Sequence, residues 1–405
     1  MSWLVTICII IFTFAFTANI SAQSYIADPL HQLNHNITVT TIWDNRFGER
    51  SVGYFTSVEG LAIIDGDVAY GTEAQLLSSG LRSFSVQQPW PGATVVYKYD
   101  TAATAARIAT IVNTAIARWQ LSSPYLTFQQ LPDNATPVNG VLTISSNGCD
   151  GCYANVGFGA NIPLRMNLQQ PNATCTGSCG PNETTHEFGH VLGLLHEHQR
   201  PDRERVVNYH CANVSPSCTG GVNMPAGSDC CTTAPPGCCG SAQNFNILSG
   251  IGRPHDYQYD VKSVMHYTSQ AFALPGRFTL TPVNSAVTLP MVNPSNPSVL
   301  DVGRVCKIYE AQCPQAQGCL ALGCPYKDTV CEDVGSGYCS LHPYADGCAG
   351  SPAAKCLEKI EMCKGAGAQA LTTEPRAEQR AIRGHLFVAG FGWLSLLGGS
   401  GWLGT

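Results

Sequence analysis

Residues 186–203 hold the side chains best suited to chemistry. His186 and His190 are four residues apart, so on a helix their imidazoles share one face and can bind one ion together. Gly193 is expected to end that helix, because glycine readily adopts a positive φ, and His196 can then arrive as a third ligand. Three imidazoles leave a fourth position for water, which is typical of a catalytic rather than a structural zinc site.

Glu187 follows the first of these histidines directly, so its carboxylate can face a water on the metal without replacing it. Zinc lowers the pKa of such a water towards about 7 and polarises a substrate carbonyl. Glu187 can later pass the proton to a leaving amine. The pattern indicates peptide-bond hydrolysis by a zinc-activated water, with Glu187 as general base. A solvated, histidine-rich helix end is the alternative, but it does not explain a helix-stopping glycine before the third histidine.

The elements that must position these residues follow from periodicity and capping. Apolar residues at 108, 111, 112, 115 and 119 form one stripe of a helix. Two further helices are expected near 183–192 and 298–312, the second capped by Ser298. Strands are expected at 94–99, 126–131, 141–145 and 164–168. One strand, a helix and then more strands favour an α+β domain with a helix packed on one face of a mixed sheet.

The string from His186 to Arg203 resembles the signature of the astacin family, HExxHxxGxxHExxRxDR, at every fixed position. Glu197, directly after the third histidine, separates astacins from other metzincins, and residues 263–267 (SVMHY) resemble the family's Met-turn. The resemblance covers roughly residues 83–313. It implies a two-lobed, α+β metzincin-type catalytic domain with the active-site helix at the cleft floor and one Zn²⁺.

The resemblance also implies roles for single residues. Met265 would form the apolar floor beneath the metal. Tyr267 would be an outer zinc ligand that swings away to hydrogen-bond the tetrahedral intermediate. Glu197 would lie near the new amino terminus of the processed chain, because a buried carboxylate needs such a partner. Residues 164–168 would form the edge strand that pairs with extended substrate.

The region before the catalytic domain resembles an astacin propeptide, assigned here to residues 23–82. Its sequence IDGD at 64–67 is similar to the family's FxGD element, so Asp67 would coordinate zinc in place of water and keep a zymogen inactive. Residues 90–92 (WPG) resemble the segment near the mature amino terminus, which puts processing near 81–83. Arg82 suits an activating protease of trypsin-like specificity.

The amino-terminal sequence indicates export. Residues 1–22 are largely apolar and end in small residues, as in a signal peptide, with an uncleaved anchor helix as the alternative. Glycosylation sequons begin at Asn36, Asn134, Asn172, Asn182 and Asn213. The formal net charge of −6, without a long basic run, makes nucleic acid an unlikely partner. A secreted, extracellular glycoprotein is therefore expected.

Cysteine usage agrees with export, because the 19 cysteines after Cys8 of the signal segment come in clusters, which in an exported chain indicate disulfides. Their odd number leaves one thiol that is free, paired between chains or an artefact of the sequence. Six fall in residues 211–239, which are expected to be a disulfide-pinned insertion rather than a metal cluster. By resemblance, Cys149 or Cys152 pairs with Cys175 or Cys179, whereas Cys313 lacks the partner usual in the family. Residues 314–364 are expected to form a small cysteine-rich module. Residues 365–405 are an apolar, glycine-rich tail, interpreted as a disordered or mispredicted terminus rather than a glycosylphosphatidylinositol signal.

The leading hypothesis is a secreted zinc endopeptidase of astacin type that acts on protein or peptide substrates and is made as an inactive zymogen. The alternative is a catalytically inactive binding protein that acts through its cysteine-rich module; loss of Glu187 or a ligand would have supported it, and none is lost. Another metzincin and a zinc hydrolase of non-peptide bonds are less favoured, the first because of Glu197 and Tyr267, the second because of the strand-like substrate edge.

Overall fold

A computed structural model describes residues 36–44, 47–78, 88–133, 139–175, 177–218, 222–231, 237–248 and 259–313. The expectations for the signal peptide, the processing site, the C-terminal module and the tail lie outside these residues. Within them the chain forms four α-helices, which are α1 (Glu73–Leu77), α2 (Ala102–Ser122), α3 (Pro181–Val191) and α4 (Val299–Ile308).

Eleven strands complete the regular structure of the described residues. They are β1 (Thr38–Asp44), β2 (Gly48–Thr56), β3 (Leu61–Ile64), β4 (Val68–Thr72), β5 (Thr94–Tyr99), β6 (Thr127–Gln130), β7 (Leu142–Ser145), β8 (Cys152–Ala154), β9 (Leu164–Leu168), β10 (Val207–Tyr209) and β11 (Leu280–Pro282). Nine form one sheet in the order β1-β2-β3-β4-β8-β9-β7-β5-β6, and β10 pairs with β11.

The second half of the large sheet has the mixed pairing expected of an α+β domain. β5 runs parallel to β6 and β7, β7 runs parallel to β9, and β8 alone is antiparallel to its neighbour β9. The expectation that residues 164–168 form an edge strand is wrong, because β9 lies between β7 and β8. The strand at the border of this half is β8.

The first half is an antiparallel sheet of β1–β4, here called the N-terminal sheet. It continues into the rest through a parallel pairing of Val68 with Ala154, and the Ala154 N–H donates to the Asp67 carbonyl at 3.0 Å. Apolar side chains are buried on both of its faces, with Tyr153 in one cluster and Val156 in the other. Since both faces are covered, strands such as β3 show no alternation of apolar and polar residues.

Helix α2 covers the sheet formed by β5–β9. Thr101 caps it by accepting a hydrogen bond from the Thr104 N–H, and its stripe Ile108, Val112, Ala115 and Trp119 is buried in the largest core. The Trp119 indole donates to the Thr185 carbonyl at 2.9 Å, so this helix also holds α3 in place.

After α3 the chain builds a second hydrophobic core with little regular structure. The core includes Val207, Phe245, Tyr259, Tyr267 and Leu280, and the β10–β11 pair lies beside it. These two cores correspond to the two lobes expected from the sequence. No helix within the described ranges has the length and apolar character needed to cross a membrane.

Six disulfides join the twelve cysteines of the described residues. The four cysteines expected to pair with one another form two disulfides, Cys149–Cys175 and Cys152–Cys179. Three disulfides hold the insertion, and they are Cys211–Cys231, Cys218–Cys238 and Cys230–Cys239. The expected disulfide-pinned insertion is confirmed. Cys313 pairs with Cys306, only seven residues away, which accounts for the missing family partner. The other cysteines are Cys8 and seven that follow residue 313.

Candidate metal centre and active site

Helix α3 carries the first two histidines, and its ends explain how they are placed. Pro181 occupies the first turn, and the Glu183 carboxylate accepts a hydrogen bond from the Gly180 N–H at 2.8 Å. At the other end Gly193 has φ +107°, so the helix stops where the sequence predicts. The chain then reverses and brings His196 back beside the helix.

The three histidines and Asp67 converge on one point. All four are buried, and one potential ligand atom from each lies within 4.8 Å of the others. The Nε2 atoms of His186 and His190 are 3.2 Å apart. Asp67 lies opposite them, with its carboxylate oxygens 2.9 Å from His196 Nε2, 3.3 Å from His186 Nε2 and 3.4 Å from His190 Nε2.

The outer ring nitrogens show that this group fits a cation. His186 Nδ1 lies 2.6 Å from the Val264 carbonyl, and His190 Nδ1 lies 2.9 Å from the Leu194 carbonyl. In neutral imidazoles those Nδ1 atoms must be the donors, which leaves both Nε2 atoms as acceptors facing each other. Two acceptors 3.2 Å apart need a positive charge between them. Nitrogen ligands with a carboxylate oxygen suit Zn²⁺.

The charges around Asp67 agree with a ligand position. Burial acts to raise its pKa, but the charge of His196 and the close approach of the three imidazoles hold the pKa of the carboxyl well below its usual range. Asp67 therefore stays an anion at the centre of the group. Burial lowers the pKa of His186, which keeps that imidazole neutral.

Glu187 lies beside this group but outside it. It is fully buried, and neither carboxylate oxygen has a hydrogen-bond partner in the described part of the chain. Burial raises the pKa of Glu187 well above its ordinary value, and the nearby charges of Asp67 and Glu183 raise it further. A carboxylate held ready to accept a proton is the property required of a general base near neutral pH.

The Met-turn packs against the helix that carries the ligands. Met265 is buried, and its carbonyl accepts a hydrogen bond from the Glu197 N–H at 2.9 Å. Its sulfur lies so near Gly189 that a Cβ there would overlap it. The sequence places Gly189 in the middle of the HExxH helix without indicating why a glycine is needed. The close approach of Met265 supplies the reason.

Tyr267 leaves the same turn and is fixed by its neighbours. Its ring stacks on His198 at 3.8 Å between centroids and lies 4.7 Å from the ring of His196. Its hydroxyl donates to the backbone carbonyl of Asp65 in the N-terminal sheet. The N-terminal sheet thus contacts two parts of the site, the histidines through Asp67 and the phenol through Asp65.

Arg50 anchors that contact, and no sequence pattern singled it out. Its guanidinium makes two parallel hydrogen bonds of 2.9 Å to the carboxylate of Asp65. Asp65 has φ +52°, a conformation uncommon outside glycine, in the turn that leads to Asp67. The paired guanidinium holds this turn in the conformation that directs Asp67 at the histidines.

Glu197 is buried beside the third histidine with its charge already compensated. Its Oε1 lies 2.9 Å from Nη2 of Arg304 in α4 and 3.5 Å from Nε of Arg200. Arg304 is a second residue that sequence reasoning did not single out. A lone arginine on an amphipathic helix gives no signal of its own, since its partner is 107 residues away.

The helix, the three histidines and Glu187 define a zinc peptidase of the HExxH class with a third histidine. Comparison with known proteins supports this class. Residues 83–229 match the family model described as Astacin, a peptidase family. These residues therefore form an astacin-type peptidase domain, and the curated relatives include zinc metalloproteinases and an astacin-like metalloendopeptidase of Coturnix japonica.

Relatives and a solved structure cover parts of the chain. It is 31% identical over 170 residues to zinc metalloproteinase nas-5 of Caenorhabditis elegans, covering 41% of this chain and 39% of that protein. It is 27% identical over 233 residues to Protein SpAN of Strongylocentrotus purpuratus, covering 56% and 32%. High choriolytic enzyme 1 of Oryzias latipes, a hatching enzyme zinc-protease, has 22% identity, a TM-score of 0.39, and coverage of 57% and 98%. The chain thus spans only 32% to 39% of the length of these two curated relatives.

Proposed function

We propose that this chain is the precursor of a secreted zinc endopeptidase and that the N-terminal sheet keeps it inactive. The observation that carries the proposal is the convergence of His186, His190, His196 and Asp67 on one cation site beside Glu187. Three histidines supply a catalytic ligand set, and Asp67 occupies the fourth position that a water needs. Residues 1–22, 23–82 and 83–313 are the proposed signal peptide, propeptide and catalytic domain.

His186, His190 and His196 would hold the zinc in the mature enzyme. When bound, zinc would polarise the substrate carbonyl and lower the pKa of a water in the fourth position. The Glu187 carboxylate takes a proton from the attacking water and delivers it to the leaving amine. Departure of Asp67 removes one of the charges that raise the pKa of Glu187, so processing also shifts this base towards its ionised form.

Tyr267 is the proposed donor to the oxyanion of the tetrahedral intermediate. In the precursor its hydroxyl is engaged with the Asp65 carbonyl, so loss of the N-terminal sheet frees the phenol at the same time as the metal site. The stacked ring of His198 supports the face of the phenol ring. Met265 and Gly193 have structural roles. Met265 packs below the ligands, and Gly193 ends the helix.

Strand β8 is the proposed place where an extended substrate adds to the sheet. It pairs with β9 on one side and with β4 at a single position on the other. When β4 leaves, the backbone groups of residues 152–154 become an open edge next to the histidines. An open strand edge binds extended peptide by main-chain hydrogen bonds. A substrate without a peptide backbone cannot make these hydrogen bonds.

Chelation and reconstitution test the proposed activity. The chain processed between residues 79 and 87 is incubated with a denatured protein, first zinc-loaded, then after treatment with a chelator, and then with Zn²⁺ restored. We expect cleavage, loss of cleavage and recovery, because the ligands are protein side chains that survive removal of the metal. A folded, processed and zinc-loaded protein that cleaves nothing would instead support the alternative, an inactive binding protein acting through residues 314–364.

A further inference from the structure

Buried charge next to the metal site identifies a further positioning residue. Glu197 is only 2% exposed and adjoins the ligand His196, and its backbone N–H donates to the carbonyl of Met265. Its carboxylate therefore belongs to the segment that ties the third histidine to the Met-turn. A buried carboxylate without a positive partner is strongly unfavourable, so whatever pairs with Glu197 also decides how firmly this segment is held.

Arg304 supplies that partner from the C-terminal helix. Its Nη2 lies 2.9 Å from Glu197 Oε1, its Nη1 lies 3.5 Å from Asp301 Oδ1, and its side chain is 8% exposed. The Asp260 N–H donates to the same Glu197 oxygen at 2.8 Å. Arg200 approaches to 3.5 Å, but its hydrogen bonds of 2.8 and 2.9 Å go to Asp202. Arg304 thus makes a direct, charge-assisted hydrogen bond to Glu197.

We propose that Arg304 is a positioning residue that holds Glu197, and through it the third histidine, both before and after processing. The mature enzyme then does not require an amino terminus cut at one particular residue. This inference rests on the proposed peptidase function. It follows from a carboxylate that is already paired while the N-terminal sheet is in place, so the pairing needs no newly formed ammonium group.

The other acidic groups around Arg304 define the competing arrangement. Asp301 accepts hydrogen bonds from the Ser263 hydroxyl and the Val264 N–H, so its carboxylate is engaged with the Met-turn. Asp260 has one buried oxygen, Oδ2, without a hydrogen-bond partner in the described ranges. If activity required a new amino terminus in this cluster, its ammonium group could pair with Asp260 Oδ2. In that case activity would depend on the residue at which the processed chain begins, whereas with Arg304 as the partner of Glu197 it would not.

A set of wild-type mature chains tests the inference without any mutation in the site. A cleavage site for a specific protease is placed so that processed chains begin at residues 81, 83, 85 or 87. We expect kcat/KM on a protein substrate to agree within about threefold across the set, since a threefold change is under about 1 kcal/mol. A change of about tenfold or more with the starting residue would overturn the inference.

Substitutions at Arg304 give the second arm. Arg304→Gln should lower kcat at every starting residue by about 100-fold, because the buried Glu197 loses its nearest positive partner and keeps only the more distant Arg200. Arg304→Lys keeps the positive charge and should recover most of that loss. Lys307→Gln is the matched control on the same helix, where the pair with Glu310 is partly exposed and should matter less than about twofold. Wild-type activity in Arg304→Gln would contradict the inference.

Thermal unfolding of the same zinc-loaded chains separates this inference from the peptidase proposal. If no wild-type chain cleaves substrate, the proposed function fails, but Tm still reports on the pairing of Glu197. Arg304 as the resident partner predicts one Tm for all four starting residues. A Tm that rises sharply at a single starting residue would show that an amino terminus enters the cluster, and would overturn the inference even if Arg304→Gln failed to fold.

Discussion

Asp67 Oδ1 lies 2.9 Å from Nε2 of His196, although the two residues are separated by 129 positions. The carboxylate reaches the histidine because β4 pairs with β8, and this pairing brings the turn before β4 into the metal site. The proposed latency of the precursor therefore depends on sheet topology as well as on one carboxylate. Separate substitutions can test the carboxylate, the turn that presents it and the metal site it covers.

Removal of the Asp67 carboxylate should open the fourth ligand position. We expect uncut Asp67→Ala precursor to cleave protein substrate at a basal rate, below that of the processed enzyme because β1–β4 still cover the cleft. The reason is that water can replace the carboxylate at the metal only when Asp67 is absent. The measurement is cleavage of a quenched peptide by precursor whose intact mass is verified before and after the assay.

Glu49→Ala provides the control, since it removes an exposed carboxylate from β2 of the same sheet. This variant should stay as inactive as the wild-type precursor. A silent Asp67→Ala precursor, with zinc bound, would exclude Asp67 as the inhibitory ligand.

Arg50 should be required for latency although it touches neither the histidines nor Glu187. Arg50→Ala leaves the carboxylate of Asp65 buried without its guanidinium, and breaking a buried pair from one side costs about 3–5 kcal/mol. We expect faster amide exchange in residues 48–64 and basal activity in the uncut precursor. Hydrogen exchange read by mass spectrometry measures the amide exchange, and the peptide assay measures the basal activity.

Arg50→Lys is the graded control, because it retains charge but not the two parallel hydrogen bonds. It should fall between wild type and Arg50→Ala in both readouts. Unchanged exchange in Arg50→Ala would mean that the ion pair does not hold the turn.

Gly189→Ala should destabilise the protein, although alanine is normally the better helix former by about 1 kcal/mol. The added Cβ would overlap the Met265 sulfur, so either the helix or the Met-turn must shift. Overpacking of this kind typically costs about 1–3 kcal/mol, and here it displaces the segment that carries His186 and His190. We expect a lower Tm and weaker zinc binding by competition with a chromogenic chelator.

A double-mutant cycle with Met265→Ala checks the cause. Shortening Met265 should remove most of the additional loss caused by Gly189→Ala. Strictly additive losses in Tm would assign the effect of the alanine to something other than the sulfur.

Zinc retention by the precursor should fail in acid, and the lowered pKa of His186 indicates the pH range in which this happens. Zinc needs neutral imidazole, and burial lowers the pKa of His186 below its ordinary value of about 6.5. The neutral form therefore persists to lower pH than in an exposed histidine, and zinc is lost only as the pH falls below that of ordinary imidazole titration. Metal content after gel filtration at a series of pH values measures this.

His210→Gln is a suitable control, because His210 bonds Thr281 in the β10–β11 region and belongs to no ligand group among the described residues. Its zinc curve should match wild type. Full zinc retention down to about pH 4 would contradict a site built from three imidazoles.

Local patterns predicted the parts of the site that are contiguous in sequence. The HExxH helix, the stop at Gly193 and the cap at Ser298 depend on neighbours within a few residues, and the structure places all three as expected. Strands β5, β7 and β9 were found by their apolar runs, but the position of β9 in the sheet was not, since strand order depends on long-range pairing.

The residues that sequence reasoning missed act across long separations. Arg50 matters because the chain folds Asp65 against it, Arg304 because α4 returns beside Glu197, and Gly189 because a loop packs its methionine there. The four strands of the N-terminal sheet gave weak periodic signals because both faces are buried and β3 has only four residues. Such contacts need three-dimensional coordinates, whereas ligand spacing on one helix does not.

The role of Glu187 as general base can be tested by comparing processed wild type with processed Glu187→Ala. Both zinc-loaded proteins are incubated with an unbiased peptide library, and products are identified by mass spectrometry. We predict cleavage by wild type, and a rate at least about 100-fold lower for a variant that retains its zinc. Cleavage by Glu187→Ala at the wild-type rate would exclude Glu187 as the general base.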